Sequence, residues 1–182
     1  MQDITVLDIF SVLFFVYGIT IFGSYILSAL LSVSELNKYS TKNRHYDFNG
    51  LLNFSNLPSI SILAPAYNEE LTIIQNINGL LKLKYNDFEI IIINDGSKDN
   101  SLKKAIEYFD MVETKMYYEM KIKTKNVRGI YKSRNKAFNH LILVDKENGG
   151  KADALNAGIN VSSKDLFLAM DVDCIIESDA LL

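Results

Sequence analysis

The chain has 182 residues, a formal net charge of −3, 48% hydrophobic residues and 23% charged residues. This length suits one domain, or a small domain with an appendage, and the composition excludes an intrinsically disordered chain. A charge so close to neutrality argues against a general nucleic-acid-binding protein, so no nucleic-acid partner is expected. One cysteine excludes an internal disulfide, and two histidines are too few for a Cys/His zinc site.

The first feature along the chain is an uncharged, apolar run over residues 9–34. As a helix it would reach about 39 Å, enough to cross a hydrocarbon core of about 30 Å. A cleaved signal peptide has a basic start and a shorter apolar run, whereas Asp3 and Asp8 precede this one. We therefore predict a transmembrane helix within residues 1–34, with a buried core helix as the alternative.

The charges that flank this run predict its orientation. Lys38, Lys42 and Arg44 follow the run, whereas only acidic residues precede it among the charged types. The positive-inside rule then places the rest of the chain in the cytoplasm, at the cell membrane. Residues 35–57 are polar and mixed, and they are interpreted as a juxtamembrane linker to a domain over residues 58–182.

Residues 58–182 alternate short apolar runs with amphipathic segments. Strands are predicted over 59–64, 88–93, 140–144 and 165–170, and helices over 101–109 and 151–159. A further helix is predicted after Asn68, its N-cap, with an apolar face formed by Ile73, Ile74, Ile77, Leu80 and Leu81. Another half-buried strand is predicted from the alternating residues Met116, Tyr118, Met120 and Ile122. Together these elements predict a Rossmann-like α/β domain with a mainly parallel sheet, whose ligands bind beyond the carboxyl ends of the strands.

Two of the predicted strands end in residues suited to a nucleotide base. The first is followed by Pro65, Ala66 and Tyr67, and the tyrosine offers a flat face on which a base can stack. The second is followed by Asp95, which can accept a hydrogen bond from a base N–H, and by Gly96, which leaves room for the ligand. Taken singly, each motif is also ordinary turn chemistry.

Two further motifs are suited to phosphate and metal. Asp171 and Asp173 follow the last predicted strand at a spacing that points both carboxylates to one side, as Mg²⁺ or Mn²⁺ would require, although a solvated acidic turn has the same pattern. Lys151 begins a predicted helix and is a suitable phosphate partner, or equally a solvated lysine. The motif is not a Walker A loop, because Ala152 stands where Ser or Thr is required.

The stretch over residues 121–144 is strongly basic and contains no acidic residue. It could contact anionic lipid, an anionic acceptor or only solvent. Its cationic residues are Lys121, Lys123, Lys125, Arg128, Lys132, Arg134 and Lys136.

The strand-end motifs, taken together and in order, carry a family resemblance. They read SISILAPAYNEE, EIIIINDGSKDNS, DKENGGKADALNAGI and FLAMDVDCIIESDAL. In this order they resemble the front half of family 2 glycosyltransferases with the GT-A fold, in particular the membrane-bound synthases of cellulose, chitin, hyaluronan and poly-N-acetylglucosamine. The resemblance covers residues 58–182 and implies inverting, metal-dependent transfer of a sugar from a UDP-sugar to a glycan or lipid-linked acceptor.

The resemblance also implies roles for residues near the uracil base of the donor. Tyr67 would stack on or flank the uracil, in a pocket lined by Pro65, Ala66 and Glu69. Asp95 would hydrogen-bond the uracil ring.

For the rest of the donor, the resemblance implies that Lys151 lies near the diphosphate or the sugar. It places Asp171 near the ribose and sugar, and it makes Asp173, the second acid of the DXD motif, the ligand of Mg²⁺ or Mn²⁺. In the family the acceptor-side base follows these motifs, so the base is expected beyond Leu182.

Two other functions remain as alternatives. One is a catalytically incomplete, membrane-tethered module that binds a nucleotide sugar. The other is a nucleotidyltransferase, which would normally carry a Gly-rich, basic loop after the first strand, where this chain has the motif PAYNEE.

Overall fold

The computed structural model describes residues 6–43 and 57–182. The chain divides into two compact units, Met1–Asp47 and Phe48–Leu182.

The first unit contains one long helix, α1 (Val6–Asn43). Its segment Leu7–Val33 has a mean hydropathy of 2.0 in its most apolar window, and none of that window is buried against protein. By length and composition the predicted apolar helix is confirmed as one that could cross a membrane. The helix extends nine residues into the segment interpreted as a linker, and residues 44–56 of that segment lie outside the described residues.

The second unit is built on a six-stranded sheet of order β3-β4-β5-β2-β1-β6. Its strands are β1 (Ile60–Ala66), β2 (Phe88–Asp95), β3 (Met111–Glu113), β4 (Val127–Ser133), β5 (Leu141–Lys146) and β6 (Leu166–Ala169). Its helices are α2 (Ile73–Leu80), α3 (Ser101–Tyr108) and α4 (Lys151–Val161), with a 3₁₀ turn at Lys136–Phe138. Strands β5, β2, β1 and β6 pair in parallel, whereas β4 pairs antiparallel with both of its neighbours, β5 and β3. The α/β class with a mainly parallel sheet is thereby confirmed.

Strand β2 is the centre of the core, and every one of its residues is buried. Ile90 and Ile92 belong to the apolar cluster that includes α2 and α3, whereas Ile91 and Ile93 belong to the cluster that includes α4. Because side chains alternate along a strand, the aspartate that ends β2, Asp95, points to the α4 side of the sheet. This alternation places Asp95 beside the loop that precedes α4.

The strand predicted from the alternation of residues 116–122 is absent, and that prediction is wrong. Met116 and Tyr118 do pack against the apolar cluster on the α4 side. However, the backbone of Ile122 bonds to a side chain, since its N–H donates to Asn160 Oδ1 at 2.9 Å and its carbonyl accepts from Asn160 Nδ2 at 2.7 Å. Alternating burial therefore arises in an extended segment without strand pairing.

The prediction that Asn68 caps the following helix is also wrong. Helix α2 begins at Ile73, and Asn68 adopts a left-handed backbone with φ of 57°. Its Oδ1 accepts a hydrogen bond from the Lys98 amide at 2.9 Å, and its own amide donates to Ser97 Oγ at 3.0 Å. Asn68 thus ties the chain after β1 to the chain after β2, at the edge of the sheet where the site lies.

Candidate functional site

A small cleft of about 130 Å³ lies at the carboxyl ends of the parallel strands. Six of the seven residues predicted to bind the donor line it together: Pro65, Ala66, Tyr67, Asp95, Lys151 and Asp171. They come from the ends of β1 and β2, the start of α4 and the segment after β6. The structure therefore brings four separate sequence motifs to one place, as the rule for ligands of parallel α/β sheets requires.

The β1 side of the cleft presents an aromatic ring. Tyr67 is 45% exposed, so its ring face is accessible to a planar ligand. Glu69, in contrast, is not among the residues that line the cleft. Its Oε2 accepts a hydrogen bond from Thr72 Oγ1 at 2.7 Å, and its carbonyl accepts from the Ile73 amide at 2.8 Å, so it organises the start of α2.

Asp95 forms the fixed wall of the cleft. It is only 4% exposed, and its carboxylate accepts the amides of Gly149 at 3.0 Å and Gly150 at 2.8 Å. Its backbone carbonyl accepts Asn148 Nδ2 at 2.8 Å. The carboxylate that the family resemblance assigns to uracil thus also holds the loop before α4 in place.

Two glycines allow this loop to approach β2 closely. Gly96 has φ of +68°, and a Cβ there would lie 2.7 Å from the amide nitrogen of Asn148. Gly150, directly before α4, has φ of +86°. Both backbones favour glycine, and the close contact at Gly96 leaves no room for a side chain.

Lys146, at the end of β5, is a site residue that sequence reasoning missed. Its side chain has no exposed surface, and its Nζ lies 2.7 Å from Asp95 Oδ1 and 2.6 Å from Asp153 Oδ2. Burial alone would raise the pKa of Asp153, but hydrogen bonds from Lys146 and from the amide of Lys125 lower that pKa below its usual range. The available signal was the strand period, which puts Lys146 on the same face as the buried Ile142 and Val144.

The open side of the cleft carries an ion pair. Lys151 Nζ lies 2.5 Å from Asp171 Oδ1, and both side chains are about half exposed. The hydrogen bond to Asp171 raises the pKa of Lys151, so this lysine is a cation at neutral pH. Its position at the first residue of α4 adds the partial positive charge of a helix N-terminus to the same place.

Asp171, Asp173 and Cys174 form a group of potential metal ligands. One ligand atom from each lies within 4.8 Å of the others. Two carboxylates are the hard oxygen donors that Mg²⁺ and Mn²⁺ prefer, whereas a thiol is a soft donor suited to other metals. The residues present therefore fit a hard divalent cation through Asp171 and Asp173, with Cys174 beside them.

Part of the chain matches a known protein family. Residues 61–142 match the sequence profile of the family described as Glycosyl transferase family 2. The matched residues thus carry the sequence pattern of a family 2 glycosyltransferase domain. They include β1, β2 and the motifs that end them, so the family resemblance carried by the sequence is confirmed.

Curated relatives extend the similarity over most of the chain. The chain is 33% identical over 167 residues to the poly-beta-1,6-N-acetyl-D-glucosamine synthase of Staphylococcus aureus strain COL, which covers 90% of this chain and 34% of that protein. It is 36% identical over 122 residues to the enzyme of the same name from Staphylococcus epidermidis, covering 66% of this chain and 23% of that protein. The chain thus spans about a third of the length of the S. aureus relative.

Two solved structures are similar to part of this chain. One is S. aureus TarS 1–349, with a TM-score of 0.48 and 20% identity, covering 68% of this chain and 30% of that one. The other is the mannosyltransferase PcManGT from Pyrobaculum calidifontis in complex with GDP-Man and Mn²⁺, with a TM-score of 0.49 and 18% identity, covering 65% of this chain and 28% of that one.

Proposed function

We propose that the cleft binds a UDP-sugar and forms the donor half of an inverting glycosyltransferase that elongates a glycan or lipid-linked acceptor. The observation that carries this proposal is the meeting of an exposed aromatic ring, a lysine and Asp171 in one cleft of a family 2 domain, with Asp173 beside Asp171 as a second potential metal ligand. The curated relatives are named as synthases of an N-acetylglucosamine polymer, so UDP-N-acetylglucosamine is the first donor to test.

Each residue of the cleft has a definite task in this proposal. The ring of Tyr67 stacks on the uracil, and Asp95 closes the pocket behind it. Lys151 exchanges its contact with Asp171 for the diphosphate of the donor, where its charge offsets the negative charge that develops on the departing UDP. Asp171 and Asp173 would hold Mg²⁺ or Mn²⁺, and the bound metal would further neutralise the charge of the diphosphate.

The reaction is a single displacement at the anomeric carbon. The acceptor oxygen forms the new bond to that carbon while the bond to the donor phosphate breaks, and UDP leaves with the electron pair. The proton of the acceptor hydroxyl passes to a carboxylate acting as general base. None of the cleft residues described above is assigned that role, since each is engaged with the donor side.

The proposal places this chemistry at a membrane. Helix α1 would cross the bilayer, and the basic residues that follow its apolar segment would keep the second unit on the cytoplasmic face. Membrane lipid is then a partner of α1, and a nucleotide sugar made in the cytoplasm has direct access to the cleft.

Titration calorimetry on the full chain in detergent micelles tests the proposal. UDP-N-acetylglucosamine is titrated with and without MnCl₂ into the wild type, Asp173→Ala and Glu177→Ala, the last being an exposed acidic control four residues away. We expect Mn²⁺-dependent binding that falls by about tenfold or more in Asp173→Ala and is unchanged in Glu177→Ala. Failure of the wild type to bind, or equal binding by Asp173→Ala, contradicts the proposal, and a preference for UTP would favour a nucleotidyltransferase.

A further inference from the structure

The cluster around Lys146 is the strongest feature of the second unit that the proposed function leaves unused. Lys146 is fully buried, in a position where an unpaired ammonium would be very costly. It carries three N–H donors, and three acceptors meet it: Asp95 Oδ1, Asp153 Oδ2 and the carbonyl of Glu147 at 2.6 Å. This cation is therefore completely satisfied and has no donor left for a ligand.

The main partner of Lys146 is the carboxylate that holds the loop before α4. Asp95 shares its Oδ1 between Lys146 and the amide of Gly149, and its Oδ2 accepts the amide of Gly150. The next residue, Lys151, begins α4 and lines the cleft. A short chain of contacts thus runs from the buried ammonium to the cation of the donor site.

Asp153 forms the other side of the cluster. It lies in the first turn of α4, and its carboxylate also accepts the amide of Lys125 at 3.1 Å. The charged groups that face the cluster are thus Asp95 from β2, Asp153 from α4, Lys146 from β5 and the more distant, exposed Lys125. Without Lys146, two carboxylates would face each other across a buried space beside an anion-binding cleft.

We propose that Lys146 is a positioning residue for donor binding: by compensating Asp95 and Asp153, it keeps the Gly149–Gly150 loop on Asp95 and so presents Lys151 to the diphosphate. This inference rests on the proposed function, since it concerns the affinity of the same cleft for a UDP-sugar. Lys146 itself touches no donor atom, because all three of its N–H groups are engaged within the protein.

The test compares UDP-N-acetylglucosamine affinity with Mn²⁺ for the full chain in micelles. Lys146→Met removes the ammonium at similar volume, and Lys146→Met with Asp153→Asn restores the net charge of the cluster. Lys103→Met makes the same change at an exposed surface pair of α3. We expect about a tenfold or greater loss in the single variant, recovery to within about threefold in the double variant and no change in the control.

A pH series separates positioning from simple structural support. In Lys146→Met, a proton taken up by the cluster can replace the missing positive charge. The loss of affinity in Lys146→Met relative to the wild type should therefore be smaller at about pH 6 than at about pH 8. The affinity of Lys103→Met relative to the wild type should be the same at both pH values. Thermal melting of each variant, recorded in parallel, shows whether it is folded at the assay temperature.

The outcomes are distinguishable from failure of the proposed function. If the wild type does not bind the nucleotide sugar, the proposed function fails. If it binds and folded Lys146→Met binds equally well, or its loss is independent of both pH and Asp153→Asn, only the role of Lys146 is overturned. Should Lys146→Met not fold, the single variant Asp153→Asn decides: retained affinity supports action through Asp95, and loss contradicts it.

Discussion

Asp95 and Asp171 line the same cleft, yet their environments are opposite. Asp95 is buried, and both of its carboxylate oxygens are held by Lys146 and by the amides of the loop before α4. Asp171 is half exposed and pairs with one flexible lysine, Lys151, with Asp173 and Cys174 beside it. One wall of the cleft is thus fixed in advance, whereas the other can exchange its partners for a ligand.

This difference in burial and partners gives two aspartates of the same cleft different roles. A buried carboxylate whose partners are two loop amides and an enclosed ammonium shapes the site, because releasing it would leave the ammonium without one of its acceptors. A carboxylate at the solvent edge can be released at little cost, because water satisfies it. We therefore expect Asp171, which follows β6, to contact the ligand, and Asp95, at the end of β2, to fix the shape of the cleft.

Removing the carboxylates of Asp95 and Asp171 one at a time should give the largest difference in stability between the two environments. Asp95→Ala leaves the buried Lys146 with one carboxylate and two amides without acceptors, so we expect a loss of about 3–5 kcal/mol in the free energy of unfolding. Asp171→Ala removes only an exposed pair and should cost less than about 0.5 kcal/mol. Urea unfolding followed by circular dichroism measures both, and similar losses would show that the two environments do not differ as described.

The loop between the two walls gives the next largest effect. A Cβ on Gly149 would lie 2.3 Å from Asp153 Oδ2, the oxygen that pairs with Lys146. Gly149→Ala should therefore destabilise the chain by about 1–3 kcal/mol by disturbing the buried cluster. Gly79→Ala is the matched control, because that helical glycine of α2 has nothing within 4 Å of its Cβ position and should gain about 0.5–1 kcal/mol. Equal responses of the two glycines in thermal melts would contradict this account.

The location of the site was largely predictable from the sequence. The run of isoleucines in β2 indicates a strand covered on both faces, and parallel strands bring their carboxyl ends to one edge. The motifs at Tyr67, Asp95 and Asp171 then had to meet, and they do. These predictions depend only on local apolar runs and on a topological rule.

The missed features depend on contacts between distant residues. Lys146 lies 51 residues from Asp95, and the strand period places it on a buried face without identifying the carboxylates that it meets. Strand β4 was not predicted, because its basic residues interrupt the apolar pattern that indicates a strand. An antiparallel strand with solvent-facing positions can carry such charged residues without disrupting the core. Conversely, residues 116–122 alternate as a strand does, but the backbone of Ile122 bonds to Asn160.

A smaller effect is expected from Asp153, the second carboxylate that contacts Lys146, in the pH dependence of stability. The pKa of Asp153 is lowered in the folded chain, so its contribution to stability is present above its unfolded pKa of about 3.9 and is lost as the pH falls through the lower folded value. Asp153→Asn should therefore flatten the acid limb of the stability profile by at most about 1 kcal/mol. Melting temperatures between about pH 6 and about pH 3 measure this, and an unchanged acid limb would exclude Asp153 as a contributor.

The smallest effect is expected from replacing Cys174, which lies beside Asp171 and Asp173. Mg²⁺ and Mn²⁺ prefer oxygen donors, so Cys174→Ser should leave the Mn²⁺-dependent affinity for UDP-N-acetylglucosamine within about twofold of the wild type. Calorimetry on the full chain measures this affinity, with Asp173→Ala as the variant that should lose it. A loss of about tenfold in Cys174→Ser would show that the thiol ligates the metal, and the open wall would then favour a softer cation than its two carboxylates indicate.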